Sequence, residues 1–408
     1  MFVGAFNADQ RFGGARTLSH ASRGMACPGP LQFRVASGRT GARTVISMDA
    51  LDSGALEAFH AAVPTFTGDE PWRHLYVHTP LIESAYLSAR VGRRVLLKLD
   101  AVQPSGSFKI RGMSEVARSA KQSGQTLLVS SSGGNAGMAA AYAARKSGLR
   151  AHIFVPSTTP QMMRDRIADE GAVVQVHGSV WDEAHGAAVE MVQRLGPSIA
   201  KLVSPFDDPI LWRGHASLVD ELHKDLHGEA PAAIIASVGG GGLFMGILEG
   251  LDARGKAWDQ VVAVAVETSG ADSFAQSFKS GTLVSLPAIT SVASSLGAKT
   301  VSRTLFNRCC SLEGDKRGAA NLQRPIKSVV LDDRDAIRAC LEFAVQQRLL
   351  VEPACGVAIA AVERVARELG NSESNRPIVV VVCGGNIISP GMLQSYARKF
   401  ELETKSWM

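Results

Sequence analysis

A lysine in a short polar loop is the first residue whose surroundings suggest chemistry. Lys109 lies in Pro104–Gly112, directly after an alternating apolar run that predicts a strand. Ser105 or Ser107 is placed to cap a helix that begins near Phe108. A helix N-terminus disfavours further positive charge, so we expect a lowered pKa and a more nucleophilic amine for Lys109. By itself, the tripeptide Ser107-Phe108-Lys109 is more typical of a solvated surface lysine.

Two loops of small residues each lie between a predicted strand and a predicted helix. In Ser130–Gly137, N–H groups could bind a carboxylate, and the Asn135 amide can both donate and accept. Gly239–Gly242 offers four N–H groups on a backbone that can adopt many conformations, which suits the binding of a phosphate. It is not a dinucleotide motif, because Phe244 stands where the third glycine belongs, and it lacks the Gly-Lys-Ser/Thr of a P-loop. Either loop could also be a plain tight turn.

Cys383 ends an apolar strand predicted at 377–383. Ligands of parallel sheets gather at the carboxyl ends of strands, although cysteine is also a common small core residue. A nucleophilic lysine, an anion-binding loop, a phosphate-binding turn and a polar atom at a strand end together describe a pyridoxal phosphate site.

The composition excludes several other classes of protein. The chain has 408 residues, of which 46% are hydrophobic and 20% charged, and no apolar run approaches the ~20 residues of a membrane span. Residues 1–49 carry +4 of the net charge of +5, so the remainder is nearly neutral. We therefore expect neither nucleic-acid nor membrane partners. The six cysteines show no zinc spacing and are interpreted as reduced thiols.

The order of patterns along the chain predicts an α/β protein. Residues 1–48 are rich in Arg, Gly and Ser, which fits an untargeted leader of a cytoplasmic protein or a transit peptide to an organellar matrix. A short helix is expected at 52–63, ordered structure from His74, and a surface insertion at 307–326. Apolar runs alternating with helical patterns predict buried parallel sheets. The predicted strands are 94–100, 126–131, 152–156, 172–177, 201–204, 232–238, 261–267 and 377–383.

These motifs resemble those of catabolic L-serine/L-threonine dehydratases, in the fold type II family of pyridoxal phosphate enzymes, from about His74 to about Leu393. The resemblance rests on Pro104–Gly112, Asn135–Tyr142, Pro205–Pro209, Gly239–Gly242, Val351–Gly356 and Val382–Gly385. It implies a tryptophan synthase β-like fold, with two open twisted-sheet domains and the cofactor in the cleft. The large domain would comprise residues 70–102 and 206–408, and the small domain residues 103–205. Residues 1–69 would form an N-terminal extension.

The resemblance also implies residue roles. Lys109 matches the Schiff-base lysine, Phe108 the aromatic residue stacked on the cofactor ring, and Cys383 the residue at the pyridine nitrogen. The substrate carboxylate would bind Ser132, Gly133, Gly134, Asn135 and Ala136, with Asn135 also on the ring 3-oxygen, and the phosphate would bind Gly239, Gly240, Gly241, Gly242 and Leu243. Glu267 and Ala271 match positions that help to bind a cation, so a potassium ion is expected beside the phosphate loop. Pairing of Glu267 with a basic residue is the alternative.

The implied reaction is β-elimination of an amino-acid substrate by a homodimer, taking serine to pyruvate and threonine to 2-oxobutanoate, each with ammonia. Two departures from the family pattern stand out: Gly133 replaces a common Ala, and Asn386 directly follows Gly385, which would alter hydrogen bonding beyond Cys383. A serine racemase or another amino-acid lyase is the first alternative, with Ser132 as the second acid/base. A catalytically inactive cofactor-binding protein is the other.

Overall fold

The computed structural model describes residues 73–310, 324–370 and 375–402, together with a short strand pair nearer the N-terminus. In that pair β1 (Val35–Ala36) runs antiparallel to β2 (Arg43–Thr44). The rest of the expected leader and the helix predicted at 52–63 lie outside the described residues.

The larger sheet has six strands in the spatial order β11-β10-β9-β12-β4-β3. All neighbours are parallel except β3, which is antiparallel to β4. Every residue of the inner strands is buried, as expected when helices cover both faces of a parallel sheet. The strands are β3 (Leu81–Glu83), β4 (Val95–Lys98), β9 (Ala233–Ser237), β10 (Val262–Thr268), β11 (Ile326–Leu331) and β12 (Ile378–Val381).

The smaller sheet has four parallel strands in the order β7-β6-β5-β8. They are β5 (Leu127–Ser130), β6 (Arg150–Val155), β7 (Val173–Val176) and β8 (Ala200–Leu202). The two sheets confirm the predicted α/β class. All four strands lie inside the segment 103–205 assigned to the small domain, and the larger sheet draws on chain from both sides of it. The domain boundaries themselves stay a prediction.

Helices connect the strands of both sheets. They are α1 (Ala85–Val91), α2 (Lys109–Gln122), α3 (Asn135–Ser147), α4 (Gln161–Asp169), α5 (Trp181–Leu195), α6 (Pro209–Asp225), α7 (Gly242–Asp252), α8 (Ser273–Ser280), α9 (Arg303–Cys310), α10 (Asp333–Gln347), α11 (Pro353–Ala360), α12 (Val362–Leu369) and α13 (Pro390–Lys399). Three of them, α2, α3 and α7, begin inside the segments that the sequence marked as candidate ligand sites.

Two strands of the larger sheet were not predicted, and the segment 307–326 is not wholly an insertion. Strands β3 and β11 are edge strands whose residues are largely half-buried, so they lack the continuous apolar run of an inner strand. The last turn of α9 and the first residue of β11 occupy the two ends of 307–326, while 311–323 lies outside the described chain.

A buried ion network fixes the helix that begins at Lys109. The Arg111 guanidinium donates to Asp100 Oδ2 and to Glu221 Oε1, each at 2.7 Å, and Lys98 Nζ lies 2.7 Å from Glu221 Oε2. The Lys98, Asp100 and Arg111 side chains are fully buried. Removing one partner would leave an uncompensated buried charge, which typically costs about 3–5 kcal/mol. The network therefore holds α2 firmly against β4 and α6.

Candidate active site

Lys109 is the first residue of α2 and is half-buried. Its Nζ donates a 2.5 Å hydrogen bond to the carbonyl oxygen of Pro205. Burial lowers the pKa of Lys109 to about 8, while Cys383 and Glu352 act in the opposite direction. The predicted direction of the pKa shift is confirmed, with desolvation as the main cause.

The predicted serine cap of this helix is wrong. Phe108 occupies the cap position with helical dihedral angles and makes no side-chain cap bond. The Ser105 hydroxyl instead donates to the Ser107 carbonyl oxygen, and the Ser107 hydroxyl is buried with no partner in the described part of the chain. Because Ser107 is used in a backbone bridge to another strand end, its position is set by tertiary contacts.

That bridge joins the lysine loop to the end of β12. Ser107 pairs with Gly384, the Phe108 N–H donates to the Cys383 carbonyl at 2.9 Å, and the Gly385 N–H donates to the Gly106 carbonyl at 3.1 Å. These bonds place the first turn of α2 beside the Cys383 thiol. Sequence reasoning predicted both segments, and the structure brings them together.

Phe108 lies between the amine and a histidine that the sequence did not single out. Lys109 Nζ is 5.0 Å from the Phe108 ring centroid, and the same ring meets His215 edge-on at 5.0 Å. His215 is fully buried, and its two ring nitrogens have no hydrogen-bond partner among the described residues. Burial lowers its pKa well below the usual value, so the ring is neutral.

Cys383 lies at the carboxyl end of the larger sheet and is 4% exposed. Its Sγ is 3.5 Å from Ser237 Oγ and 3.1 Å from Cys355 Sγ. Cys355 Sγ is also within 3.0 Å of both the N–H and the carbonyl oxygen of Gly384. Cys355 belongs to a motif noted in the sequence, but only the fold shows that it contacts Cys383.

Asn135 begins α3, and both ends of its amide are held. Its Nδ2 donates to Glu352 Oε1 and Oε2 at 2.9 and 3.0 Å, and its Oδ1 accepts from Asn386 Nδ2 at 3.0 Å. Asn386 Nδ2 also donates to the Ser105 carbonyl at 2.6 Å. The Asn135 amide is thereby tied to the lysine loop. Sequence reasoning assigned no role to Glu352 and expected only altered hydrogen bonding at Asn386.

The tetraglycine loop has the close packing that requires glycine. Gly241 has a positive φ of 98°, and α7 begins at Gly242. A Cβ on Gly240 would lie 2.1 Å from Phe206 Cγ, and one on Gly239 would lie 3.0 Å from the backbone of Leu296. The first N–H groups of α7 have no acceptor within the helix. The loop can therefore offer backbone donors and the positive end of a helix to a phosphate.

The predicted carboxylate loop, from Ser132 to Ala136, follows β5 and leads into α3. The Gly134 N–H donates to Ser132 Oγ at 3.3 Å. A Cβ on Gly133 would lie 2.5 Å from Thr159 Cγ2, so an alanine there would require Thr159 to move. The N–H groups where α3 begins are free to bind an anion such as a carboxylate.

Glu267 lies fully buried near the end of β10. Its oxygens accept the backbone N–H groups of Phe274 and Ala275 at 2.9 and 2.7 Å, so it stabilises the first turn of α8. Burial raises its pKa to about 8, against the effect of these two bonds. Ala271 is buried in the connection to that helix. In the parts of the chain that the structure describes, no group of three or more His, Cys, Asp or Glu could hold a metal ion.

The comparisons with known proteins agree with this geometry. Residues 73–384 match the model of the family described as pyridoxal-phosphate dependent enzymes. The chain belongs to this family. Its members bind pyridoxal phosphate, and the family match confirms the fold type and the cofactor that the sequence predicted. Among the described residues, no helix is long and apolar enough to cross a membrane.

Several proteins that are similar to this chain are named as serine dehydratases or a serine ammonia-lyase. L-serine dehydratase/L-threonine deaminase from Homo sapiens is 45% identical over 326 residues, covering 79% of this chain and 94% of the relative. The serine dehydratase-like protein of Mus musculus is 46% identical over 333 residues, covering 80% of this chain and 94% of the relative. The solved L-serine ammonia-lyase of Rhizomucor miehei has a TM-score of 0.72 and 32% identity, covering 80% of this chain and all of that one. Maize serine racemase, at 24% identity and a TM-score of 0.68, shares the fold.

Proposed function

We propose that this chain removes water from L-serine and L-threonine, releasing pyruvate or 2-oxobutanoate together with ammonia. The observation that carries the proposal is the meeting of a half-buried lysine amine, a loop of four glycines and a strand-end thiol in one region of the fold. Relatives 42–45% identical, named L-serine dehydratase/L-threonine deaminase, support this choice of substrates.

The residues present fit pyridoxal phosphate. Lys109 would hold it covalently, Phe108 would pack on the ring, and Gly239–Gly242 with Leu243 would bind the phosphate. Asn135 has an amide next to the lysine loop that can reach a ring oxygen. When bound, the cofactor supplies the electron sink that stabilises negative charge at the substrate Cα.

Lys109 is the proton carrier of the site. Because burial brings its pKa to about 8, a substantial fraction of its amine is neutral near physiological pH. A neutral amine within reach of the substrate Cα accepts the proton there as a general base. The β-hydroxyl then leaves and takes up a proton to become water, which completes the elimination.

Ser132 to Ala136 would hold the substrate by its carboxylate. The N–H groups at the start of α3 provide the donors, as at other anion-binding helix termini. A carboxylate fixed there limits rotation of the substrate, so its Cα–H bond can be kept directed at the Lys109 amine. The loop would thereby provide orientation, and Lys109 the chemistry.

Cys383 would meet the pyridine nitrogen. A thiol is a weak hydrogen-bond partner and, unlike a carboxylate, holds a proton on that nitrogen only weakly. Cys383 would thereby leave the bound group a weaker electron sink, which would favour loss of the β-hydroxyl over transamination.

We also propose that a potassium ion binds beside the phosphate loop, in addition to pyridoxal phosphate. Its support is a buried carboxylate, Glu267, at a strand end next to Ala271, since oxygen ligands suit hard cations. Glu267 already accepts two helix N–H groups, which fix the position of its oxygens. Because burial raises its pKa to about 8, a bound cation would favour its ionised form.

The test is keto-acid formation from L-Ser, L-Thr and their D-forms, with and without added pyridoxal phosphate. We expect keto acid from the L-forms only, with turnover lost in Lys109→Ala and retained in Lys146→Ala, which changes an exposed lysine on α3. Chiral analysis of the remaining serine separates the alternative, because a racemase would accumulate D-serine. A bound cofactor without keto acid would identify an inactive binding protein.

A further inference from the structure

The carboxylate of Glu352 is a buried group that the reaction described above does not use. Glu352 is 2% exposed and directly precedes α11. Its Oε1 accepts from Ser295 Oγ at 2.7 Å, and both oxygens lie within 3.0 Å of Asn135 Nδ2. Within the described chain it forms no ion pair with Lys or Arg closer than 4 Å. A buried carboxylate without such a pair normally has a specific role, because burying its charge is costly.

We propose that Glu352 is a positioning residue that fixes the orientation of the Asn135 amide. The inference rests on the proposed function, because Asn135 is one of its cofactor-binding residues.

The contacts of the carboxylate decide which way the Asn135 amide faces. A carboxylate only accepts hydrogen bonds, so it selects the NH₂ end of the amide. Asn386 Nδ2 only donates, so it selects the oxygen end at the opposite side. Turning the amide over would set oxygen against the Glu352 carboxylate and NH₂ against NH₂. One hydrogen on Nδ2 suffices for the carboxylate, which leaves the other for a ring oxygen of the cofactor.

The experiment measures how tightly cofactor-free protein binds pyridoxal phosphate, with borohydride trapping of the product. Glu352→Gln keeps the size of the side chain and replaces one acceptor oxygen by an NH₂ group, so the side chain no longer selects one end of the Asn135 amide. Ser295→Ala is the matched control, because it removes another hydrogen bond to the same carboxylate without touching Asn135. Its cofactor affinity should equal that of the parent.

A double-mutant cycle tests the positioning of Asn135. At a pH where Lys109 is neutral in every protein, Glu352→Gln should weaken cofactor binding by about tenfold, as expected for hydrogen bonds to a charged group. In an Asn135→Ala background the same change should have less than about a twofold effect, because coupled residues are not additive. Equal losses in both backgrounds would overturn this part.

The remaining outcomes are also decisive. Unchanged cofactor affinity in Glu352→Gln would overturn the positioning role. If that variant does not fold, Glu352→Asp keeps the carboxylate but shortens its reach: cofactor binding should then weaken, and unchanged binding would contradict the proposal. Because cofactor capture needs no turnover, these results stay separate from failure of the proposed dehydratase activity.

Discussion

Lys109 Nζ and the carbonyl oxygen of Pro205 are joined by a 2.5 Å hydrogen bond. Pro205 directly precedes Phe206. The Phe206 ring fills the position that a Cβ on Gly240 would occupy. The reactive amine and the phosphate loop are therefore held by two consecutive residues of one loop. A carbonyl oxygen accepts a hydrogen bond without carrying a charge, so this contact orients the amine but does not keep it protonated.

The first prediction concerns the pH at which Lys109 reacts. Since only the neutral amine attacks an aldehyde, and burial lowers the pKa of Lys109 to about 8, capture of pyridoxal phosphate by cofactor-free protein should accelerate as pH rises through about 8. A free lysine derivative, with a pKa of about 10.4, is the reference. Borohydride trapping and mapping of the labelled peptide provide the measurement. A midpoint equal to that of the reference would contradict the buried position of the amine.

The second prediction concerns the close packing of the phosphate loop. Gly240→Ala would place a methyl group where Phe206 Cγ lies 2.1 Å away, so Phe206 or the loop must move. We expect cofactor affinity to fall by more than about tenfold, as when more than 1.4 kcal/mol is lost. Gly186→Ala is the control, because that glycine lies in α5 with nothing within 4 Å of its Cβ position. It should keep cofactor affinity and stabilise the fold by about 0.5–1 kcal/mol.

If Gly240→Ala bound the cofactor as tightly as the parent protein in a spectroscopic titration, the loop would not be the phosphate site. Melting temperatures of both glycine variants show whether a loss of affinity comes from the loop or from general destabilisation. The Gly186→Ala control should melt slightly higher than the parent.

The features predicted correctly from the sequence are those encoded within a few neighbouring residues. The apolar runs predicted the inner strands, and the glycines after β9 marked the start of α7. The residues that were missed act over long separations. Glu352 meets Asn135 across 217 residues, and Asn386 meets the same amide across 251. No local pattern shows such pairs, because only the packing of the two sheets brings them together.

The serine cap failed for a related reason. Ser107 has the right residue type and spacing for a cap, yet its backbone pairs with Gly384 from another part of the chain. That tertiary bridge sets the dihedral angles at the start of α2, and Phe108 takes the cap position without a cap bond. Capping preference is worth about 1 kcal/mol, which two backbone hydrogen bonds in a buried site can outweigh.

The third prediction concerns the cation. If potassium binds near Glu267, activity should be higher in potassium than in tetramethylammonium buffer at equal ionic strength, with sodium intermediate, because the site would select by size and oxygen ligation. Steady-state keto-acid assays in the three buffers measure this. Thermal melts in the same buffers are the control for general salt effects. Identical activity in all three buffers would contradict the cation site. The role of Glu267 would then be only to stabilise α8.

Cys383→Ala is the reference variant for the last prediction. The Cys383 thiol contacts Ser237 and Cys355 and would face the pyridine nitrogen. Its loss removes one neutral hydrogen bond, worth about 1 kcal/mol. We therefore expect an intact fold, cofactor binding weakened by no more than about tenfold, and a modest loss of rate. These values define the effect of removing the thiol without adding a charge.

The last prediction is that Cys383→Asp changes the course of the reaction. A carboxylate at this position would hold a proton on the pyridine nitrogen and strengthen the electron sink. Elimination should become slower than in Cys383→Ala, and the amine form of the cofactor should accumulate through abortive transamination, as followed by absorbance and keto-acid assays. Because a buried carboxylate can destabilise a strand end, a thermal melt must first show that the variant is folded. A folded, cofactor-bound Cys383→Asp protein that eliminates water at the parent rate, without forming the amine, would assign Cys383 to the core alone.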